Sequence, residues 1–179
     1  MSSLADLLEP TPHNSGTGGG IATEVYFVAE EDLSTQPERD PATDNVIVDL
    51  AFAATNKATK IFATSETIEV KSDPLDGEND SVVAFENSAS FFHPSIDDER
   101  LLFVNKISGK RGYFFVKDIA TDKIIMIGEK GYPAKGKVAS KFGKVVTEAK
   151  GLTFTFSAKQ PKTYAHYEGA GIGDAVVTP

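Results

Sequence analysis

The sequence contains no cysteine and no tryptophan, and only three histidines, His13, His93 and His166. Without cysteine there is no disulfide framework, no thiolate zinc site and no cysteine nucleophile. Three widely spaced histidines give a poor basis for a metal centre, and neither a metal nor another cofactor is expected. Apolar runs are short, well below the ~18 residues that a membrane-spanning helix needs. The N-terminus offers neither a basic start nor an apolar stretch of signal-peptide length, so a soluble chain made in the cytoplasm, with no membrane partner, is expected. Basic charge is also scarce: 18 Lys and Arg against 26 Asp and Glu give a net charge of −8. That balance excludes a general electrostatic drive toward nucleic acid.

Phenylalanine is what the chain has in place of tryptophan, with 12 among its 179 residues. Its ring needs no hydrogen-bond partner when buried, so the Phe positions should trace a core, and the length fits one domain. Residues 1–22 carry Leu4, Leu7 and Leu8, then prolines and the run Gly18, Gly19, Gly20, a composition that resists regular structure and reads as an extended arm tied down by a neighbouring subunit. From Thr23 the character changes. "TEVYFVA" and "NVIVDLAF" read as strands, and "KATKIFATSETIEVKSD" is expected to form a long hairpin with "DSVVAFENSASFF" across the acidic "DPLDGEND". "GYFFVKD" and "KIIMIGE" predict a second hairpin. "GLTFTFSAK" alternates Leu152, Phe154 and Phe156 with hydroxyl residues, a strand with one dry face. Residues 160–179 show no periodicity and read as a tail.

The stretch "FFHPSIDDERLLFVNKISGKRG" joins strand to helix. Ser95 stands at an N-cap position, and Asp97, Asp98 and Glu99 fill a first turn where the helix dipole favours acid. Ile96, Leu101, Phe103, Val104 and Ile107 supply an apolar side, and Gly109 a stop, so a helix is expected over about 95–107. His93, held extended before Pro94, reads as a corner between strand and helix.

No catalytic residue is identified: there is no nucleophile elbow and no histidine placed as an oriented base, so the chain is not expected to be an enzyme. "GYPAKGKV" follows a phosphate-loop pattern up to Lys137 and then fails, because Val138 has no hydroxyl for magnesium. "GAGIGD" near the end has no strand and helix around it to make a dinucleotide site. Asp73, Asp76, Glu78 and Asp80 cluster at the hairpin tip without the spacing of a calcium loop. Lys135, Lys137 and Lys141, with Lys130, Lys144 and Lys150, form a basic stretch best explained as edge-strand lysines that could also meet the acidic tip of a neighbour.

The whole is thus mainly β: an antiparallel sandwich or curled sheet with one flanking helix, a long hairpin and an N-terminal arm. In this arrangement, and in "TKIFATSETIEVKSD", "FFHPSIDDERLLFV" and "GEKGYPAK" followed by "GLTFTFSA", the chain resembles the major tail tube proteins of tailed bacteriophages over Thr23 to Lys159. The resemblance implies a structural virion protein of the viral tail, whose subunits form hexameric rings closed by an inter-subunit β-barrel and stacked into the channel for DNA ejection. It implies self-association, contacts with tape measure, terminator and baseplate proteins, and DNA only in transit. Residues 65–86 would be the inter-ring hairpin and 1–22 an arm onto a neighbour, which makes Leu4, Leu7, Leu8, Asp73, Asp76, Glu78, Asp80, Lys135, Lys137 and Lys141 the expected contact residues. A head-to-tail joining or tail terminator protein, or a calcium- or carbohydrate-binding β-sandwich module, is the alternative.

Overall fold

The computed structural model describes residues 22–48, 50–53, 57–64, 67–75, 84–117, 123–141, 150–169 and 172. The strands among them are β1 (Ala22–Ala29), β2 (Leu33–Thr35), β3 (Val46–Ile47), β4 (Ala51–Phe52), β5 (Thr59–Thr64) and β6 (Glu69–Leu75). They continue with β7 (Ala84–Pro94), β8 (Arg111–Lys117), β9 (Ile124–Ile127), β10 (Ala134–Lys141), β11 (Gly151–Gln160) and β12 (Ala165–Tyr167), and one helix, α1 (Asp98–Ile107), stands between β7 and β8. Among the described residues the fold is mainly β with a single α-helix, as the sequence implies.

Ten strands make one sheet that divides at β8. On one side run β5, β1, β8, β9, β12 and β3; on the other run β10, β11, β7 and β6. Gly112 is the joint, since it pairs with Ala29 of β1 and with Ala134 of β10. A Cβ there would stand 2.1 Å from the Val28 carbonyl oxygen, so only glycine lets the two limbs meet at that point.

The limbs curl toward each other over a phenylalanine core. Phe27 and Phe114 from the first limb stack on Phe156 from the second at centroid separations of 5.2 and 4.5 Å, and Phe91 stacks on Phe154 at 5.1 Å. Phe103 and Ile107 of α1 close one end of this core. Each buried ring contributes on the order of 1.5–3 kcal/mol. A second cluster lies on the other face of the first limb, where Val28, Tyr113, Phe115, Met126 and Tyr167 meet Ile47 and Ile172. The first limb is therefore covered on both faces, which explains the unbroken buried run from Gly112 to Val116 in β8.

At the far side of the curl, β5 and β7 approach without a ladder between them. Side chains close this seam: the Phe92 N–H donates to Thr67 Oγ1 at 3.1 Å, and His93 Nδ1–H donates to the Phe62 carbonyl at 2.9 Å.

Several expectations are corrected here. The helix begins later than about residue 95, because Ser95 still extends the β7–β11 ladder through its N–H to the Lys150 carbonyl and has φ +76°. Asp97 is the N-cap, accepting from the Arg100 N–H at 2.9 Å. Leu101 faces solvent, while Phe103 and Ile107 are buried; Gly109, at φ +81°, follows the C-cap Ser108 as expected. The run 57–73 is two strands, with β5 paired to β1 and only β6 forming the hairpin with β7. "NVIVDLAF" likewise divides into β3 and β4, which join different sheets. The tail expected over 160–179 contains β12, inserted between β3 and β9 with Ala165 and Tyr167 buried. Its pairing with β3 is parallel, so the sheet is mixed and not wholly antiparallel.

Candidate assembly interface

The second limb has a dry face and a wet one. Leu152, Phe154 and Phe156 of β11 and Ala89 and Phe91 of β7 point into the core. The intervening residues make an outward lattice. Lys135, Lys137, Ala139 and Lys141 of β10 stand opposite Ser157, Thr155, Thr153 and Gly151 of β11. Ser157, Thr155 and Thr153 stand in turn opposite Ser88, Ser90 and Phe92 of β7. Ser90, Ser88 and Glu86 then face Glu69, Lys71 and Asp73 of β6. The wet face is thus a field of hydroxyls with a cationic border on β10 and a mixed, mainly acidic border on β6.

Both borders have an open side, along β6 and along residues 138–141 of β10. Because the Phe92 N–H is directed to the β6 side, the same holds for the even-numbered residues of β7, which pair with odd-numbered residues of β6. The backbone groups of Val70, Ser72 and Pro74 therefore point away from the sheet. On β10, Gly136 turns its groups outward, where its N–H reaches the Lys110 carbonyl at 3.4 Å and its carbonyl accepts from Gly109 N–H at 3.2 Å. Val138 and Ser140 share that orientation, and among the described residues no backbone partner meets them or the outer side of β6.

The charges at the borders are unevenly compensated. Lys71 pairs with Glu69 at 2.9 Å, and that carboxylate raises the lysine's pKa. Asp73 stands opposite Glu86, an acid beside an acid. Lys135 stands opposite Arg111, and among the described residues Lys135, Lys137 and Lys141 have no ion-pair partner.

Of the expected contact residues, Asp73, Lys135, Lys137 and Lys141 are placed on this face, with the aspartate and the lysines at opposite ends of the limb. Leu4, Leu7, Leu8, Asp76, Glu78 and Asp80 lie outside the described residues.

His93 is more than a corner. It is fully buried, its Nδ1–H held by Phe62 and its Nε2 accepting from Arg100 Nε–H at 3.0 Å. Burial, with the adjoining guanidinium against it, pulls its pKa down to about 4 despite the Phe62 bond, so the ring is neutral at pH 7. Arg100 in turn pairs with Asp97, tying the helix start to the β5–β7 seam. A second clasp went unmarked by any motif: Arg39, nearly buried, pairs with Glu129 and donates to the Asp44 and Thr163 carbonyls. An open cleft of about 540 Å³ lies beside it in sequence but not in chemistry, lined by Glu30, Glu31, Gln36, Lys110 and Arg111, whose acids and bases largely pair among themselves. Among the described residues there is no group of three or more His, Asp or Glu that could hold a metal ion, and no helix long and apolar enough to cross a membrane.

No protein-family model matches the chain, and neither the curated proteins nor the solved structures contain a significant match.

Proposed function

We propose that the protein is a structural subunit that assembles with copies of itself into a tube, in the manner of a phage tail tube. The observation that carries this reading is the limb β10–β11–β7–β6: four antiparallel strands whose outer sides are open, among the described residues, along β6 and along residues 138–141 of β10. An even number of alternating strands has a simple consequence. Copies related by rotation about an axis along the strands bring the β6 edge of one beside the β10 edge of the next in antiparallel orientation, so a ring closes as one continuous sheet.

The body of each subunit lies behind the dry face of its limb. In such a ring the body is therefore on the outside, and the face bearing Thr153, Thr155, Ser157, Ser88 and Ser90 looks inward. The hydroxyls hydrate the channel between the β10 lysines and the acids of β6, which lie on the same face and meet at each subunit boundary, and the chain as a whole carries a net charge of −8. The role is structural, with DNA in transit, other tail proteins at the ends of the tube and the virion tail as its place; the subunit fold is then a two-limbed sandwich completed by an inter-subunit barrel.

The test is negative-stain electron microscopy of the concentrated protein together with its mass in solution. Stacked rings or hollow tubes are expected. A monomer at every concentration would overturn the reading.

A further inference from the structure

The two borders of the limb match each other in one register. We propose that β6 of one copy pairs with β10 of the next with Val70 opposite Ser140 and Ser72 opposite Val138, the ladder ending at Pro74. The proposal rests on the self-assembly reading above and supplies its contact.

Three independent features select this register. The first is backbone direction. Val70 and Ser72 turn their N–H and carbonyl groups outward, as do Val138 and Ser140, so each opposing pair can exchange two hydrogen bonds. The second is proline. Pro74 has no N–H to give, and the outer side of Gly136 and Lys135, where a longer ladder would run, is already filled by Lys110 and Arg111 of the same copy. The neighbour's strand thus leaves the ladder at its proline, where β10 is already paired within its own copy.

The third feature is charge on the wet face. The register sets Glu69 opposite Lys141, Lys71 opposite Ala139 and Asp73 opposite Lys137. Both acids meet lysines, and the one lysine of β6 meets alanine. A slip of two residues one way sets Lys71 against Lys137 and leaves Ser72 facing the engaged Gly136. A slip the other way sets Lys71 against Lys141 and Pro74 against Val138. A slip of one residue turns the hydroxyl face of one limb toward the dry face of the next. The proposed register also relieves the Asp73–Glu86 contact within each copy, because Lys137 of the next copy arrives beside Asp73.

The absence of native cysteine makes the test direct. Asp73→Cys and Lys137→Cys are introduced together in the full chain, which is assembled, oxidised and run on a non-reducing denaturing gel, with Asp73→Cys/Lys135→Cys and Lys71→Cys/Lys141→Cys as slipped controls. Directly opposed strand residues lie within reach of a disulfide, about 4.5–5.5 Å between Cα atoms. The expected result is a ladder of covalent oligomers from the first pair, at least about fivefold stronger than from either control on that distance criterion.

A charge swap provides a second reading that needs no oxidation. Lys137→Glu/Lys141→Glu is expected to raise the concentration needed for assembly about tenfold, and adding Glu69→Lys/Asp73→Lys to restore it, by the usual scale of like-charge contacts across strands. Rings or tubes in which a control pair cross-links as well as 73 with 137, or in which the swap does not rescue, overturn the register and leave the tube reading standing. A 73–137 ladder from filaments that never become tubes sustains the register and overturns the tube reading. A protein that stays monomeric under all conditions overturns both.

Discussion

The clearest quantitative consequence of the fold is carried by His93. In the folded protein its pKa lies at about 4, against 6.5 for a free histidine. Between these values the unfolded chain takes up a proton that the native ring does not, so the stability tied to His93 is fully present above pH 6.5. It is lost as pH falls from 6.5 to 4 and is constant below. The separation of the two pKa values makes the loss about 3 kcal/mol on going from pH 7.5 to 4. The structural cause is definite: a proton on Nε2 would have to displace the Arg100 Nε–H and sit beside a guanidinium in a site walled by Phe62 and Phe154. Urea unfolding of the wild-type protein and of His93→Gln, at matched dilute concentration and at pH 7.5, 6, 5 and 4, isolates the effect, because both proteins share every carboxylate and the other two histidines. The wild type should lead at pH 7.5, and the gap should close by about 3 kcal/mol at pH 4. Parallel stability curves, or a His93 ring resonance that titrates near 6.5 by NMR, would refute the argument.

Three further outcomes are expected. Arg39→Ala strands Glu129 in a nearly buried site and should cost about 3–5 kcal/mol in chemical denaturation, whereas Lys162→Ala, whose partner Asp44 is exposed, should leave the stability almost unchanged. Tyr113→Phe removes a buried hydroxyl that has no hydrogen-bond partner among the described residues, so thermal melting should show a stability unchanged or raised, against the usual loss on altering a buried aromatic. Truncation after Thr163 deletes β12 and strips the edge of β9, so the shortened chain should lose its cooperative unfolding transition by circular dichroism; a folded truncation product would show that β12 is dispensable.

What could be read from the sequence was what repeats locally. The alternation in "GLTFTFSAK" and the paired runs around residues 112–127 give β11, β8 and β9 nearly residue for residue, because a period of two over several residues has no competing explanation. The helix was legible but its start was not: Ser95 has the chemistry of a cap, yet its N–H is already committed to Lys150, a partner more than fifty residues away in sequence. β12 is three residues long and lies between prolines and glycines, so nothing local distinguishes it; only the open edge of β9 makes it a strand. The same holds for Arg39, whose partners come from three separate segments. Among the candidate contact residues, the sequence singled out Asp73 and the β10 lysines, but their placement at opposite ends of one limb depends on strand order, which no local pattern encodes.

The seam between β5 and β7 bears on how such a subunit responds to load. Between β1 and β5, β1 and β8, β10 and β11, and β11 and β7, neighbouring strands are locked by repeated backbone bonds, and to shift one strand is to break a row of them together. At the seam the wall is held by the Thr67 hydroxyl and the His93 ring, each at the end of a rotatable side chain. Strain applied to the curled sheet is therefore taken up there first, as a change of curvature with every ladder intact. In the proposed ring the seam would serve as an expansion joint, letting each subunit adjust the spread of its two limbs to fit its neighbours without unfolding any part of itself.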